Sequence, residues 1–155
     1  MSTTAERMRL AGIVLPARGA PAANYVPFRV VGSLLFVSGQ VPLVDGRVRH
    51  IGKVGQDLTI EDGYAAARIC ALNLLAHAAA ACDGDLDRVR AVARIAGYVN
   101  STPDFTAHPK VVDGASDLVM QVFGDRGAHA RVAVGTASLP RGAAVEVEGL
   151  FELAL

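Results

Sequence analysis

The chain has 155 residues, with 15 Lys and Arg balancing 15 Asp and Glu. It is 52% hydrophobic and only 19% charged. That length supports one core, and no linker or composition shift divides it, so the expectation is a single domain over 1–155 with a lead-in at 1–20. The arginines are scattered, without a basic stripe or interleaved aromatics, which excludes a global field for nucleic acid; so little charge on a small protein points to an oligomer.

Met1 to Arg9 is polar and mixed in charge and reads as a short helical lead-in. No signal-peptide core and no run of 18 apolar residues is visible, so a cytoplasmic protein without membrane contact is expected. Tyr25–Val31 and Leu34–Gln40 read as strands joined at Gly32-Ser33. Asp45-Gly46 is a second turn signal, and Arg47 to Gly55 has room for a short strand. Thr59 with Asp62 imitates a capping box. The Ala- and Leu-rich helix that follows to Ala81 places Ala65, Ile69, Leu72, Leu75, Ala76 and Ala79 on one face.

Asp83-Gly84-Asp85 ends that helix, and Leu86–Val99 reads as a strand with Val92, Ile95 and Tyr98 as its apolar set. Pro103, Pro109 and Gly114 predict an irregular loop, followed by a helix over Ala115–Phe123 that stops at Gly124. Cys70 and Cys82 share one helix roughly 18 Å apart, too far for a disulfide, and read as buried small hydrophobes. Histidines 50, 77, 108 and 129 lack metal-ligand spacing, and neither a phosphate loop nor a dinucleotide fingerprint occurs, so no metal or cofactor is expected. Helices lying between strands predict an α+β fold with one sheet face covered.

Two alternating segments near the end flank Leu139-Pro140-Arg141-Gly142. In the second, Val145, Val147, Phe151 and Leu153 fall on one face and Glu146, Glu148 and Glu152 on the other. Glu146 and Glu148 stand about 7 Å apart along the strand. Like charges that close split their pKa values, which suits acid–base work; solvated edge carboxylates fit the same pattern. Arg131 shares its face only with Ala133, Gly135 and Ala137. Its fork suits a carboxylate ligand, and an ion pair with Glu146 or Glu148 is the structural alternative.

These residues carry a resemblance. The pattern from Arg131 through Leu139-Pro140 and Gly142 to Glu146 and Glu148 resembles the Rid (YjgF) family of reactive-imine deaminases, often labelled L-PSP endoribonucleases. So do Pro21-Ala22-Ala23-Asn24-Tyr25-Val26-Pro27 and Ser38-Gly39-Gln40-Val41-Pro42. The matches span roughly residues 15–155, and the phrase from Gly52 to Leu58 points to a less studied branch.

The resemblance implies a chorismate-mutase-like fold, a mixed sheet with two helices packed on one face. It also implies a homotrimer with clefts between subunits, no cofactor, and hydrolysis of small 2-imino or enamine acids to 2-keto acids and ammonia. A non-catalytic trimer that binds small carboxylates is the alternative. On this reading Arg131 holds the substrate carboxylate, Ser38 and the Gly39 N–H orient it, Tyr25 walls the cleft, and Glu146 handles water. The Ala133 carbonyl faces the imine nitrogen where many relatives have cysteine. Asp113 stands where asparagine is frequent, and His129 is a further candidate for the cleft wall.

Overall fold

The computed structural model describes residues 3–21 and 23–154. Met1 and Ser2 of the lead-in, Ala22 of the Pro21–Pro27 motif and Leu155 lie outside the described residues. A short helix α1 (Thr4–Leu10) opens the chain, capped by the Thr3 hydroxyl, which accepts from the Glu6 N–H. Strands β1 (Phe28–Val31) and β2 (Leu34–Gln40) form an antiparallel pair across Gly32-Ser33. The expected strand from Tyr25 starts only at Phe28, because Pro27 has no N–H to donate to a ladder; its carbonyl accepts from Ser38 instead.

A two-stranded hairpin, β3 (Leu43–Val44) and β4 (Arg47–Val48), turns at Asp45-Gly46, both with positive φ as a type I′ turn requires. Beyond Val48 only single bridges form, at Ile51 and Val54, so the anticipated strand to Gly55 is cut short. Helix α2 (Ile60–Ala81) begins at the predicted box: the Thr59 hydroxyl accepts from the Asp62 N–H, and the Asp62 carboxylate accepts from the Thr59 N–H.

Residues Leu86–Arg88 make a 3-10 turn, and strand β5 (Val89–Asn100) follows. Helix α3 spans His108–Phe123, seven residues earlier than its expected start. Pro109 sits in its first turn, where a missing N–H costs nothing, so the proline starts this helix instead of excluding one. Gly114 lies inside it. A side-chain carbon there would strike the Tyr64 carbonyl of α2, so glycine lets the two helices cross in contact.

Strands β6 (Ala130–Thr136) and β7 (Val145–Leu153) complete a five-stranded sheet ordered β1-β2-β7-β5-β6. Only β5 and β6 run parallel. The two segments that flank Leu139–Gly142 are therefore not neighbours, since β5 lies between them. Helices α2 and α3 cover one sheet face, and α1 packs against α3. The architecture is α+β, with the mixed sheet and two covering helices expected, and α1 falls in the segment read as a short helical lead-in.

The core joins Leu35, Val37, Val92, Ile95, Val99, Val145, Val147 and Phe151 of the sheet to the helix layer. The buried face of α2 differs in part from the expected one, with Leu75 and Ala76 buried as expected. Gly63, Ala66, Ala67, Cys70, Ala71, Leu74, Leu75 and Ala78 are buried, while Ala65, Ile69, Leu72 and Ala79 are half-buried. Small side chains take the tight contacts, and Ile69 and Leu72 lie under the segment from Val14 to Gly19 and the β3–β4 turn. By length and composition α2 could cross a membrane, but its apolar surface is spent against the sheet and α3, as in a core helix. Cys70 and Cys82 are both buried and free.

A register shift between Val92 and Arg94 moves the apolar face of β5 by one residue. Tyr98, expected beside Ile95 in the core, lies on the opposite face because the two are three residues apart in unbroken alternation; it sits across from Glu146, and its hydroxyl donates to Glu148 (3.3 Å).

Candidate active site

Glu146 is the second residue of β7, flanked by Val145 and Val147, which are fully buried. Strand alternation thus fixes its side chain on the face without helices. At this point β2 shifts register against β7, between Val37 and Gln40, and the two strands part. The gap opens into a pocket of about 440 Å³ lined by Tyr25, Gly39, Gln40, His77, Arg141 and Glu146. Gly39 meets the Glu146 carboxylate so closely that a side-chain carbon at 39 would overlap Oε1. A larger residue at 39 would push the far end of the Glu146 side chain aside.

Burial, and then the charge of Glu148, raise the Glu146 carboxyl above its ordinary pKa. Glu148 has partners of its own, Arg94 Nη1 at 3.6 Å and the Tyr98 hydroxyl. The carboxylate best placed to exchange a proton is Glu146, half-buried and without an ion pair among the described residues.

Ser38 and Arg131 lie elsewhere. The Ser38 hydroxyl donates to the Val26 carbonyl (2.8 Å), and the residue lines a separate hollow of about 270 Å³ on the open sheet face, with Arg94 and Glu148. Arg131 is in register with the core residue Ile95, so its side chain points to the helix layer. Its Nη1 donates to Asp113 Oδ1 (2.7 Å) and Ser116 Oγ (3.1 Å), and its Nη2 to the Pro109 carbonyl (3.4 Å). The anticipated structural pairing with Glu146 or Glu148 does not form; the partner is Asp113.

Ala133 also faces the helices and packs on the core. His129 lies with Arg131: its ring bridges Ser116 Oγ (2.9 Å) and the Gly127 carbonyl (2.6 Å), away from the Glu146 pocket. Of the residues singled out in the sequence, then, one chain gathers Tyr25, Gly39 and Glu146. Arg131 and Ala133 are held on the far side of the same sheet, with Arg131 on its edge strand.

Two lining residues had no sequence signal. Arg141 looked like one scattered arginine, yet the turn at Leu139–Gly142 bends back with Arg141 at φ 60°, which puts the residue in the pocket wall. His77 looked like an isolated helix residue. Among the described residues no group of three or more His, Cys, Asp or Glu side chains is placed to hold a metal ion.

The family model described as "YjgF/chorismate mutase-like, putative endoribonuclease" matches residues 5–153. Protein TCP17 of Trypanosoma cruzi is 50% identical over 150 residues, covering 96% of this chain and 93% of that one. The crystal structure of Atu1372 from Agrobacterium tumefaciens, a protein of unknown function, superposes with a TM-score of 0.90 at 43% identity, covering 96% of this chain and 91% of that one. A Shewanella oneidensis MR-1 protein described as a "putative endoribonuclease" superposes with a TM-score of 0.94 at 38% identity, over 98% of this chain and 100% of that one.

Proposed function

Because the chain belongs to the YjgF/chorismate mutase-like family, we propose that it is a homotrimeric hydrolase converting small 2-imino acids, or their enamine tautomers, to 2-keto acids and ammonia. The observation that carries this reading is the Glu146 pocket. A carboxyl with a raised pKa faces a concave, largely apolar space beside the Gly39 backbone and the Tyr25 ring. Glu146 takes a proton from water as the oxygen adds to the imine carbon. It returns that proton to the nitrogen, and as the C–N bond breaks it takes the remaining hydroxyl proton, so that the carbonyl forms and ammonia leaves. The imine is already electrophilic, so positioning supplies most of the acceleration.

Arg131 enters from a neighbouring subunit. It cannot reach Glu146 of its own chain across the sheet, but it lies on the edge strand, where a second copy can approach. The helix-free face also exposes Phe36 and Val134, apolar side chains suited to burial between subunits. Ser38 and the Ala133 carbonyl then complete the cleft from their two sides. No cofactor takes part. A ribonuclease reading gains nothing from the pocket, whose described lining sets Glu146 against one cation, Arg141; a polyanion needs several.

The test is ammonia release from freshly generated 2-aminoacrylate, with light scattering on the same preparation. Acceleration by a species of trimer mass is expected. A monomer, or decay no faster than in buffer, would reject the proposal.

The Arg131–Asp113 pair favours a second reading, a trimer that binds carboxylates weakly and catalyses nothing. Asp113 already occupies the cation that an anionic substrate needs. Asp113→Asn keeps the hydrogen-bonding shape and removes the competing charge. Pyruvate should then bind several-fold more tightly by calorimetric titration, as expected for one unpaired charge near the surface. If its affinity is unchanged, Arg131 is not the carboxylate site.

A further inference from the structure

Three residues on one face of α3, at positions 109, 113 and 116, hold the Arg131 guanidinium. Asp113 Oδ1 and Ser116 Oγ both accept from Nη1, at 2.7 and 3.1 Å, and the Pro109 carbonyl accepts from Nη2 at 3.4 Å. An ion pair through one nitrogen would leave the group free to pivot, whereas contacts on both terminal nitrogens fix its plane. A guanidinium has five N–H donors. Three are committed among the described residues, and the two left, Nε–H and one on Nη2, suffice for one bidentate carboxylate. The side chain keeps 23% of its surface exposed, so a ligand can still reach it.

The direction of these hydrogen bonds is set from the backbone. The turn Gly124–Gly127 lies so close to α3 that a side-chain carbon at Gly127 would strike the Val119 carbonyl. The Gly127 carbonyl is held in place by that contact and can only accept, so the His129 Nδ1–H donates to it (2.6 Å). In the neutral ring Nε2 is then the acceptor, and the Ser116 hydroxyl donates to it (2.9 Å). A serine hydroxyl otherwise rotates freely. Here its one proton is drawn toward His129, which turns an oxygen lone pair toward Arg131 Nη1.

We propose that Ser116 and His129 are positioning residues for carboxylate recognition. The chain from Gly127 through His129 and Ser116 sets the plane of the Arg131 guanidinium, so that its two uncommitted N–H groups meet the substrate carboxylate together. His129 acts through Ser116 and not as a wall of the cleft. The inference rests on Arg131 as the carboxylate site.

Calorimetric titration of the full chain with pyruvate tests it without turnover. Ser116→Ala and His129→Phe should each bind pyruvate about tenfold more weakly, the worth of one hydrogen bond to a charged group. Ser116→Thr keeps the hydroxyl and should bind close to the parent. A merely structural role would not depend on the guanidinium. In an Arg131→Lys background, where an ammonium has no plane to hold, Ser116→Ala should therefore cost no further affinity. If Ser116→Ala does not fold, His129→Phe carries both comparisons.

Folded variants that bind pyruvate like the parent, while Arg131→Lys weakens it, would overturn the inference and leave Arg131 in its role. So would an undiminished loss from Ser116→Ala in the Arg131→Lys background. Binding that Arg131→Lys leaves unchanged, or none in the parent protein, would remove Arg131 and the inference together. The expected pattern without any ammonia release from 2-aminoacrylate would reject the deaminase and leave the positioning roles standing.

Discussion

Glu146→Gln is expected to reduce imine hydrolysis by about 100-fold or more, the usual worth of a positioned acid–base group, while the protein folds normally. The two side chains are nearly the same size, so the contact with Gly39 survives. Stability separates this outcome from a structural role. The folded state binds the Glu146 proton more tightly than the unfolded chain, because burial and Glu148 raise its pKa.

That tighter binding adds stability at pH below the unfolded value, and the gain is lost as pH rises through the folded value. At neutral pH the ionised carboxylate is therefore a cost, and glutamine removes it. The variant should melt at or above the parent temperature at pH 7, with any gain fading in acid. Melting curves at two pH values and one turnover assay decide the matter. A variant that melts several degrees early at pH 7 would make Glu146 structural; one that turns over normally would remove it from the chemistry.

Gly114→Ala should produce the largest stability loss of any single-carbon addition in the helix layer. The added carbon meets the Tyr64 carbonyl and the Arg68 N–H, which belong to the α2 backbone and cannot rotate away. The two helices must separate, and both are packed on the same core. Forced overpacking of this kind costs about 3 kcal/mol. Denaturant melts should show the midpoint falling with an unchanged slope. A loss under 1 kcal/mol would mean that the α2–α3 crossing relaxes freely.

The parts of this fold that were legible in the sequence are those where a local pattern meets no competitor. The alternation from Val145 to Leu153, the Thr59 cap and the Asp45-Gly46 turn each have one physical reading. Helix α2 is apolar nearly all round, so periodicity could not choose between its faces, and packing of the small residues decided. Pro109 and Gly114 look like breakers when taken singly. One begins a helix and the other admits its neighbour.

For the candidate site, Tyr25, Gly39 and Glu146 were legible through motifs and do share one pocket. The side of the sheet occupied by Arg131 was not, because alternation relates residues along one strand and says nothing about which face belongs to the helices. Tyr98 was misplaced for a different reason: a three-residue step from Ile95 crosses to the other face of a strand by alternation alone. His77 and Arg141 entered the pocket through helix length and turn geometry, neither of which a motif records.

The closeness of Gly39 to the Glu146 carboxylate also couples the two positions across relatives. While residue 146 keeps a long acid, no lineage can gain a side chain at 39 without displacing it. Once 146 has shortened, space opens at 39, and a larger residue that settles there forces a returning glutamate into another orientation. Among relatives the two positions should therefore change together, with glycine at 39 accompanying glutamate at 146 in this orientation. A relative with a bulky residue at 39 and glutamate at 146 should hold that carboxylate in another orientation, which its structure would show.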